Sequence, residues 1–302
     1  MPRFPASTDI SQSLAEVLGQ DIQLDTWQSV SGGSIHQAWH VHSQCGQQFF
    51  VKTNLANKYH TLEAEYLGLQ TLHDHISPEN PLHIPKLYTL ASNEQYSWLI
   101  LEYIEFGQQT PASQTALGQG LALLHQQTAP QFGFEADNVI GENLQTNGWT
   151  KDWLSFWAEQ RLGTQFKLAA QHGFYNSLQD EAEQLLSLLP QLLQGHQPIP
   201  SLLHGDLWAG NAAADTKAKP FIFDPAVYYG DRECDLAMTT LFGGFSADFY
   251  AAYNHVYPLD NGYEQRKDLY NLYHILNHAN LFGGGYIGQS QSMMQQLISQ
   301  VS

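Results

Sequence analysis

The sequence predicts an α+β fold in two lobes: a small antiparallel β-sheet lobe with one helix over residues 1–104, then a larger, mainly helical lobe over residues 105–302. Three observations predict it. Short runs rich in aromatic and branched residues, bounded by Gly, Asn and Pro, crowd the first third of the chain. One segment among them spaces its leucines at helical intervals, and beyond about residue 105 the apolar pattern is almost wholly helical. With 302 residues, 43% of them hydrophobic, the chain is long enough to build a core in each lobe.

The elements follow in order. Strand-like runs occupy 34–42 (SIHQAWHVH), 47–54 (QQFFVKTN), 85–92 (PKLYTLAS) and 96–104 (YSWLILEYI). Between the second and third, YHTLEAEYLGLQTLHDHI places Leu62, Tyr66, Leu69 and Leu72 at three- and four-residue steps, which is one face of a helix. Helical segments then cover 114–127, 151–173 and 180–196, the last with Pro190 as a kink or break, and two or three more lie between 245 and 298. Short strands are expected only at 201–204 and 221–224. There is no internal repeat or low-complexity linker, and a cleft between two such lobes favours a ligand site.

Composition narrows the partners. The formal net charge is −17, with 12 Lys+Arg against 29 Asp+Glu, so a nucleic-acid backbone is repelled. The same field suits a cationic substrate, although solubility alone explains an acidic balance equally well. Cys45 and Cys234 cannot make a disulfide framework or a four-ligand zinc site. The N-terminal stretch lacks the apolar core of a signal peptide and no run reaches membrane-spanning length, so no membrane partner and a cytoplasmic setting are expected. The 14 histidines are scattered, which disfavours a metallohydrolase built on His204 and Asp206.

A set of motifs falls into the order of phosphoryl transfer. VSGGSIHQAWHV places Gly32 and Gly33 between two strand-like runs, where a tight turn can aim backbone N–H groups at phosphate, though a Gly-Gly hairpin turn needs no ligand. Lys52, in FFVKTN, is a cation on an alternating strand, and either Glu63 or Glu65 of the following helix can pair with it. In LLHGDLWAGN, Asp206 can orient or deprotonate a hydroxyl, and Asn211 can offer a neutral oxygen to Mg²⁺. Asp224 closes the apolar strand FIF and can project a carboxylate toward the same metal. This His-x-Asp-x4-Asn followed by a strand-end Asp is similar to the catalytic loop and metal-binding Asp of kinases, with HGD and DPA in place of HRD and DFG. A non-catalytic nucleotide-binding protein would be expected to have lost Lys52, Asp206 or Asp224, and all three are present.

Ten residues separate Asp224 from Asp235, too few for the peptide-docking segment of a protein kinase, so the acceptor is expected to be a small molecule. In DRECDLAM, Asp231 and Glu233 can attract the acceptor's ammonium, while the same run also reads as a helix start, the role expected for Asp235. Trp208, beside Asp206, can stack on a sugar face or plug the loop.

Taken together, GGSIHQAWHV, FFVKTN, LHGDLWAGN, FIFDPAVYYGDRECDLAM and NLFGGGY resemble the fructosamine kinase (ketosamine 3-kinase) family, relatives of the aminoglycoside phosphotransferases within the protein-kinase-like fold. The resemblance runs from about Ser11 to about Ile298. It implies ATP-dependent phosphorylation of the sugar 3'-hydroxyl of a ketosamine (a ribulosamine, erythrulosamine or fructosamine, small-molecule or protein-bound), whose unstable product breaks down to free the amine. It implies Asp206 as catalytic base, Asn211 and Asp224 as Mg²⁺ ligands, Lys52 on the α- and β-phosphates with Glu65 as its partner, and Glu102 and Ile104 as the backbone contacts to adenine. Gly32, Gly33 and Ser34 would form the phosphate turn, and His204, Trp208, Asp231 and Glu233 would face the acceptor. A monomer or weak homodimer is expected. A kinase for choline, homoserine or an aminoglycoside would share the phosphate-handling residues, but GDLWAGN, DPAVYYGDRE and LFGGGY argue against it. Many family members carry Cys where this chain has Ser34, so a redox-sensitive dimer does not carry over. Cys45, in the next turn, is expected to be an ordinary thiol.

Overall fold

The computed structural model describes residues 4–30 and 35–301; the expected turn at Gly32, Gly33 and Ser34 lies outside the described residues. Its first part is an antiparallel sheet of five strands: β1 (Leu24–Val30), β2 (Gln37–Ser43), β3 (Gln48–Leu55), β4 (Leu87–Ser92) and β5 (Tyr96–Glu102), in the order β1-β2-β3-β5-β4. Helix α1 (Ser7–Leu18) precedes it and α2 (Tyr59–His75) joins β3 to β4. The sequence pattern recovers β2 to β5 and α2 but passes over α1 and β1.

Alternation along the strands explains how this sheet presents a cation. Phe49 and Val51 of β3, with Trp98 and Ile100 of β5, pack in one apolar cluster with Ile10 and Leu14 of α1. The intervening residues point the opposite way. Leu99 and Leu101 join the main core with Leu62, Leu69 and Leu72 of α2, and Lys52 pairs across the ladder with Leu99 and Ala38. Helix α1 thus seals the outer face, its Ser13 Oγ accepting the Trp98 indole N–H at 3.0 Å. Lys52 is left facing α2 and the second part of the chain.

That second part is mainly helical: α3 (Pro111–His125), α4 (Trp153–Phe156), α5 (Gly163–Gln171), α6 (Gln179–Leu192), α7 (Glu233–Leu241), α8 (Ala247–Val256), α9 (Tyr263–Phe282) and α10 (Gly285–Ser299). The capping box of Thr110 and Ser113 starts α3, with Pro111 at its first position. The segment read as one helix over 151–173 is α4 and α5 joined by a π-helical stretch, Trp157–Leu162. Within it the buried Arg161 guanidinium stands 3.9 Å from the Tyr228 ring centre and donates to the Thr146 carbonyl and Asn147 Oδ1. Pro190 does not end α6: it falls in the last turn, where only one intrahelical donor is lost. One apolar cluster runs from α2 through α3 to α9, so both parts of the chain share a core.

Three short antiparallel pairs interrupt the helices: β6 (Asn138–Ile140) with β7 (Asn143–Gln145), β8 (Ser201–Leu203) with β11 (Tyr228–Gly230), and β9 (Ala212–Ala214) with β10 (Pro220–Ile222). The last two pairs bracket the loop His204–Asn211 and the segment Phe223–Val227. Among the described residues no helix is long and apolar enough to cross a membrane.

Helix α3 packs on α8 through Gly118, where an added Cβ would sit 2.2 Å from the Phe249 carbonyl oxygen. Gly118→Ala must push two helix backbones apart. The expected cost is about 1–3 kcal/mol, read as a lower unfolding midpoint in thermal denaturation.

Candidate active site

Lys52 is the centre of a buried charge cluster. Its Nζ lies 2.8 and 2.9 Å from the two carboxylate oxygens of Glu65 on α2 and also pairs with Asp224 Oδ1, just beyond β10. The partner on the helix is therefore Glu65, not Glu63. Burial opposes the Lys52 charge, but Asp224 and Glu65 outweigh it and hold the ammonium above the ordinary lysine range. Burial pushes Glu65 up to about 7 against the pull of Lys52. Burial would raise Asp224 too, yet the adjacent ammonium keeps it below the usual carboxylate range. The Asp224 side chain is 41% exposed, so it is open to solvent while Lys52 and Glu65 are not.

Asp224 adopts φ 56°, the left-handed region that non-glycine residues enter at a cost of about 1–2 kcal/mol. The turn aims the carboxylate back at Lys52.

The loop His204–Asn211 is tied to the same turn. Asn211 Nδ2 donates to the Asp206 carbonyl at 2.8 Å and to Asp206 Oδ2 at 3.1 Å, and the Phe223 N–H donates to the Asn211 carbonyl at 3.1 Å. With its amide N–H groups spent on Asp206, Asn211 has its amide oxygen left as a ligand atom. Burial pushes the Asp206 carboxyl up to about 7, the Asp224 charge adding to the effect and the Asn211 hydrogen bond opposing it. Gly205, at φ 83°, is required here: a Cβ would meet the Ala226 carbonyl oxygen at 2.0 Å.

Below the loop lies an anchor the sequence motifs do not announce. Asp235, in the first turn of α7, accepts the backbone N–H of His204 at 2.7 Å and of Gly205 at 2.9 Å, and His125 Nε2 at the end of α3 stands 3.1 Å from it. His125 is fully buried, its Nδ1 2.8 Å from the Tyr253 hydroxyl on α8. The helical role expected for Asp235 is thus also the loop's support. Its partner His125, 110 residues away, carries no local signal.

Three expected acceptor ligands are placed elsewhere. His204 is fully buried, with Nε2 2.9 Å from the Phe223 carbonyl and Nδ1 accepting the Asp206 N–H at 3.3 Å. That pairing assigns a neutral ring protonated on Nε2, in line with the lowering of its pKa by burial. It positions Asp206 and does not face an acceptor. Asp231 is buried, bound by the Tyr270 hydroxyl and by His196 Nε2, each at 2.5 Å, and by the Glu233 N–H at 3.0 Å. Glu233 is buried in a two-pronged pair with Arg266 of α9, both contacts 2.7 Å. Both carboxylates are already saturated by interior partners, so neither is open to a substrate ammonium. Trp208 is partly exposed: its ring covers Gly210 of the same loop, where an added Cβ would sit 2.3 Å from it, and meets Phe242 edge-on at 6.0 Å.

Glu102 is a strut of the segment joining the two parts. Its carboxylate accepts the Lys86 N–H at 3.0 Å and meets His83 Nε2 at 2.8 Å, and its own N–H donates to the Lys86 carbonyl at 2.8 Å. Its carbonyl is the group it could offer a nucleotide. Ile104 follows, half-buried. His204 and Asp206 belong to no metal-spaced cluster among the described residues. The one group of that kind, His196, Glu233 and Asp260, is compromised because Arg266 holds both Glu233 oxygens.

A family model described as fructosamine kinase matches residues 6–300. The chain belongs to the fructosamine kinase family. It is 44% identical over 290 residues to the Synechocystis sp. protein named Probable ketoamine kinase, covering 96% of both chains, and 40% identical over 307 residues to the chloroplastic protein-ribulosamine 3-kinase of Arabidopsis thaliana, covering 98% of this chain and 91% of that one. A crystal structure assigned as a fructosamine-3-kinase from Haemophilus somnus 129PT superposes with a TM-score of 0.85 at 30% identity, over 95% of this chain and 96% of that one. An aminoglycoside phosphotransferase, APH(4)-Ia, shares the fold at a TM-score of 0.63 and 15% identity, over 96% of this chain and 98% of that one. The fold is thus protein-kinase-like. As a fructosamine kinase family member the chain is an ATP-dependent enzyme that phosphorylates a hydroxyl of a ketosamine.

Asp235→Asn leaves one of the two loop N–H groups facing an amide NH₂. The expected loss is about 3 kcal/mol or more, measured by urea denaturation at pH 7. The His125 hydrogen bond and charge outweigh burial and hold the Asp235 carboxyl low. Its contribution is therefore complete above the unfolded value of about 3.9, and the gap between wild type and variant narrows as pH falls through the lowered folded value.

Proposed function

We propose that this fructosamine kinase transfers the γ-phosphoryl group of ATP to the sugar 3'-hydroxyl of a ketosamine, with Asp206 as the base and Lys52 as the phosphate-binding cation. The observation that supports this most is a single continuous set of contacts: Glu65 to Lys52, Lys52 to Asp224, and Asn211 to Asp206, with Asp224 next to Phe223, whose N–H holds Asn211. Residues 1–104 are read as the nucleotide side of the cleft and residues 105–302 as the catalytic and acceptor side.

Lys52 is fixed by Glu65 so that its ammonium can lie against the α- and β-phosphates without a search for orientation. Glu102 and Ile104 offer backbone groups to the adenine. Asp206, seated in the loop by Asn211 and His204, aligns the hydroxyl with the γ-phosphorus. As the new O–P bond forms and the bond to ADP breaks, the hydroxyl proton passes to the Asp206 carboxylate. The donor set fits Mg²⁺: an amide oxygen on Asn211 and an open carboxylate on Asp224, both hard oxygen ligands. Asn211 and Asp224 would hold the ion, which would supply positive charge to offset that of the transferring phosphoryl group. The Arabidopsis relative's name favours ribulosamines among the candidate ketosamines.

Asp206→Asn is expected to cut turnover at least about 100-fold while ATP still binds, scored by ADP release and nucleotide titration. Turnover near the wild-type level removes Asp206 from the base role. Chelation of divalent cations is expected to abolish activity and Mg²⁺ to restore it, with Asn211→Ala raising the Mg²⁺ concentration for half-activation by about 10-fold or more. ADP release stimulated by ribulosamine, erythrulosamine or fructosamine, and not by choline, separates the ketosamine reading from other small-molecule kinases.

A further inference from the structure

Two similar runs, LFGGF at 241–245 and LFGGGY at 281–286, end α7 and α9 side by side. Each places a phenylalanine at a helix end followed by glycines. Gly244, at φ 96°, lets the first run lie directly on the catalytic loop: a Cβ there would sit 2.4 Å from the Ala209 Cβ. Apolar rings at these ends would ordinarily turn inward. Here Phe242 is 43% exposed and Phe282 61% exposed, beside Trp208 at 39%.

The rings form a row that begins at the loop carrying Asp206. Trp208 meets Phe242 at 6.0 Å, Phe242 meets His278 at 5.3 Å, and His278 meets Phe282 at 5.7 Å and Tyr286 at 5.1 Å. The His278 ring is itself held, Nδ1 lying 2.7 Å from the His274 carbonyl. Aromatic faces in such a row take up alkyl or aryl groups, and they attract a cation through the ring quadrupole. The carboxylates expected to receive the ammonium, Asp231 and Glu233, are saturated in the interior, so the rings are the acceptor-side surface continuous with the reacting loop.

We propose that Trp208, Phe242, His278, Phe282 and Tyr286 form the subsite for the nitrogen substituent of the ketosamine, an apolar chain or ring carried on a secondary ammonium, and set preference among amines. This rests on the reading that Asp206 aligns the sugar hydroxyl. In a ketosamine the nitrogen is three bonds from the carbon that bears the reacting 3'-hydroxyl, and on this reading its substituent leads away from Asp206 past Trp208. The ammonium then lies near the Trp208 and Phe242 faces, and the chain continues over Phe282, where the row opens to solvent.

The test is a kcat/KM series on ribulosamines and fructosamines with no nitrogen substituent, N-methyl, N-butyl and N-benzyl, for wild type, Phe282→Ala, the double variant Phe242→Ala/Phe282→Ala, and Phe282→Trp. The expected wild-type preference for N-butyl over the unsubstituted amine is about 10-fold or more, the scale of a few methylenes on an apolar surface. In the double variant this ratio should collapse to within about 2-fold of unity, Phe282→Ala alone should lower it partway, and Phe282→Trp should retain it. A wild-type ratio near unity, or a ratio preserved while all substrates weaken equally in the double variant, overturns the subsite and leaves the rings as loop supports. A wild type inert toward every ketosamine overturns the acceptor reading itself, and this inference with it.

Discussion

The structure turns on the ammonium of Lys52. It is buried in a sheet whose other face is sealed by α1, and a lone charge in such a place costs several kcal/mol. Two carboxylates offset that cost, one from α2 and one from the far part of the chain. The pairing binds sheet, helix and catalytic segment at one point. Burial, aided by the Asp224 charge, pushes Glu65 up to about 7 against the pull of Lys52, while the same ammonium keeps the more exposed Asp224 low. On the proposed reading, the buried cation faces the phosphate chain and the exposed anion at its edge faces the counter-ion.

The catalytic loop depends on a second, quieter constraint. Asp206 is not held by its own strand; it is held by His204 and Asn211 within the loop, and the loop's backbone is held by Asp235. Two short strand pairs flank the loop, and Gly205 allows its backbone to pass the Ala226 carbonyl at a distance no side chain permits. Rigidity of this kind, built from hydrogen bonds to buried charged groups, is what positional catalysis requires.

Charge was the least dependable guide to the acceptor side. Asp231 and Glu233 look like an acidic patch for a cationic substrate when read in line, and the net charge of −17 encourages that view. In space they are the interior partners of His196, Tyr270 and Arg266, joining α7 to α9. The surface beside the loop is aromatic instead. An ammonium near a ring face keeps part of its hydration, whereas one buried against these carboxylates would first have to displace Arg266 or His196.

The sequence by itself determined the order of the machinery: the alternation that turns Lys52 away from the α1 face, the helical spacing of α2, the five-residue step from Asp206 to Asn211 and the strand-end Asp224. These are local patterns, set by strand and helix periods and by short motifs. It left open whether Glu63 or Glu65 meets Lys52, missed α1 and β1, and could not tell a buried carboxylate from an exposed one at Asp231 and Glu233. Only the tertiary structure decided those points, because each depends on a partner from another element: Lys52 for Glu65, Trp98 for Ser13 of α1, β2 for β1, Tyr270 for Asp231 and Arg266 for Glu233. A side chain's chemistry is written in its identity, but its availability is decided by whatever else the fold brings within hydrogen-bonding reach.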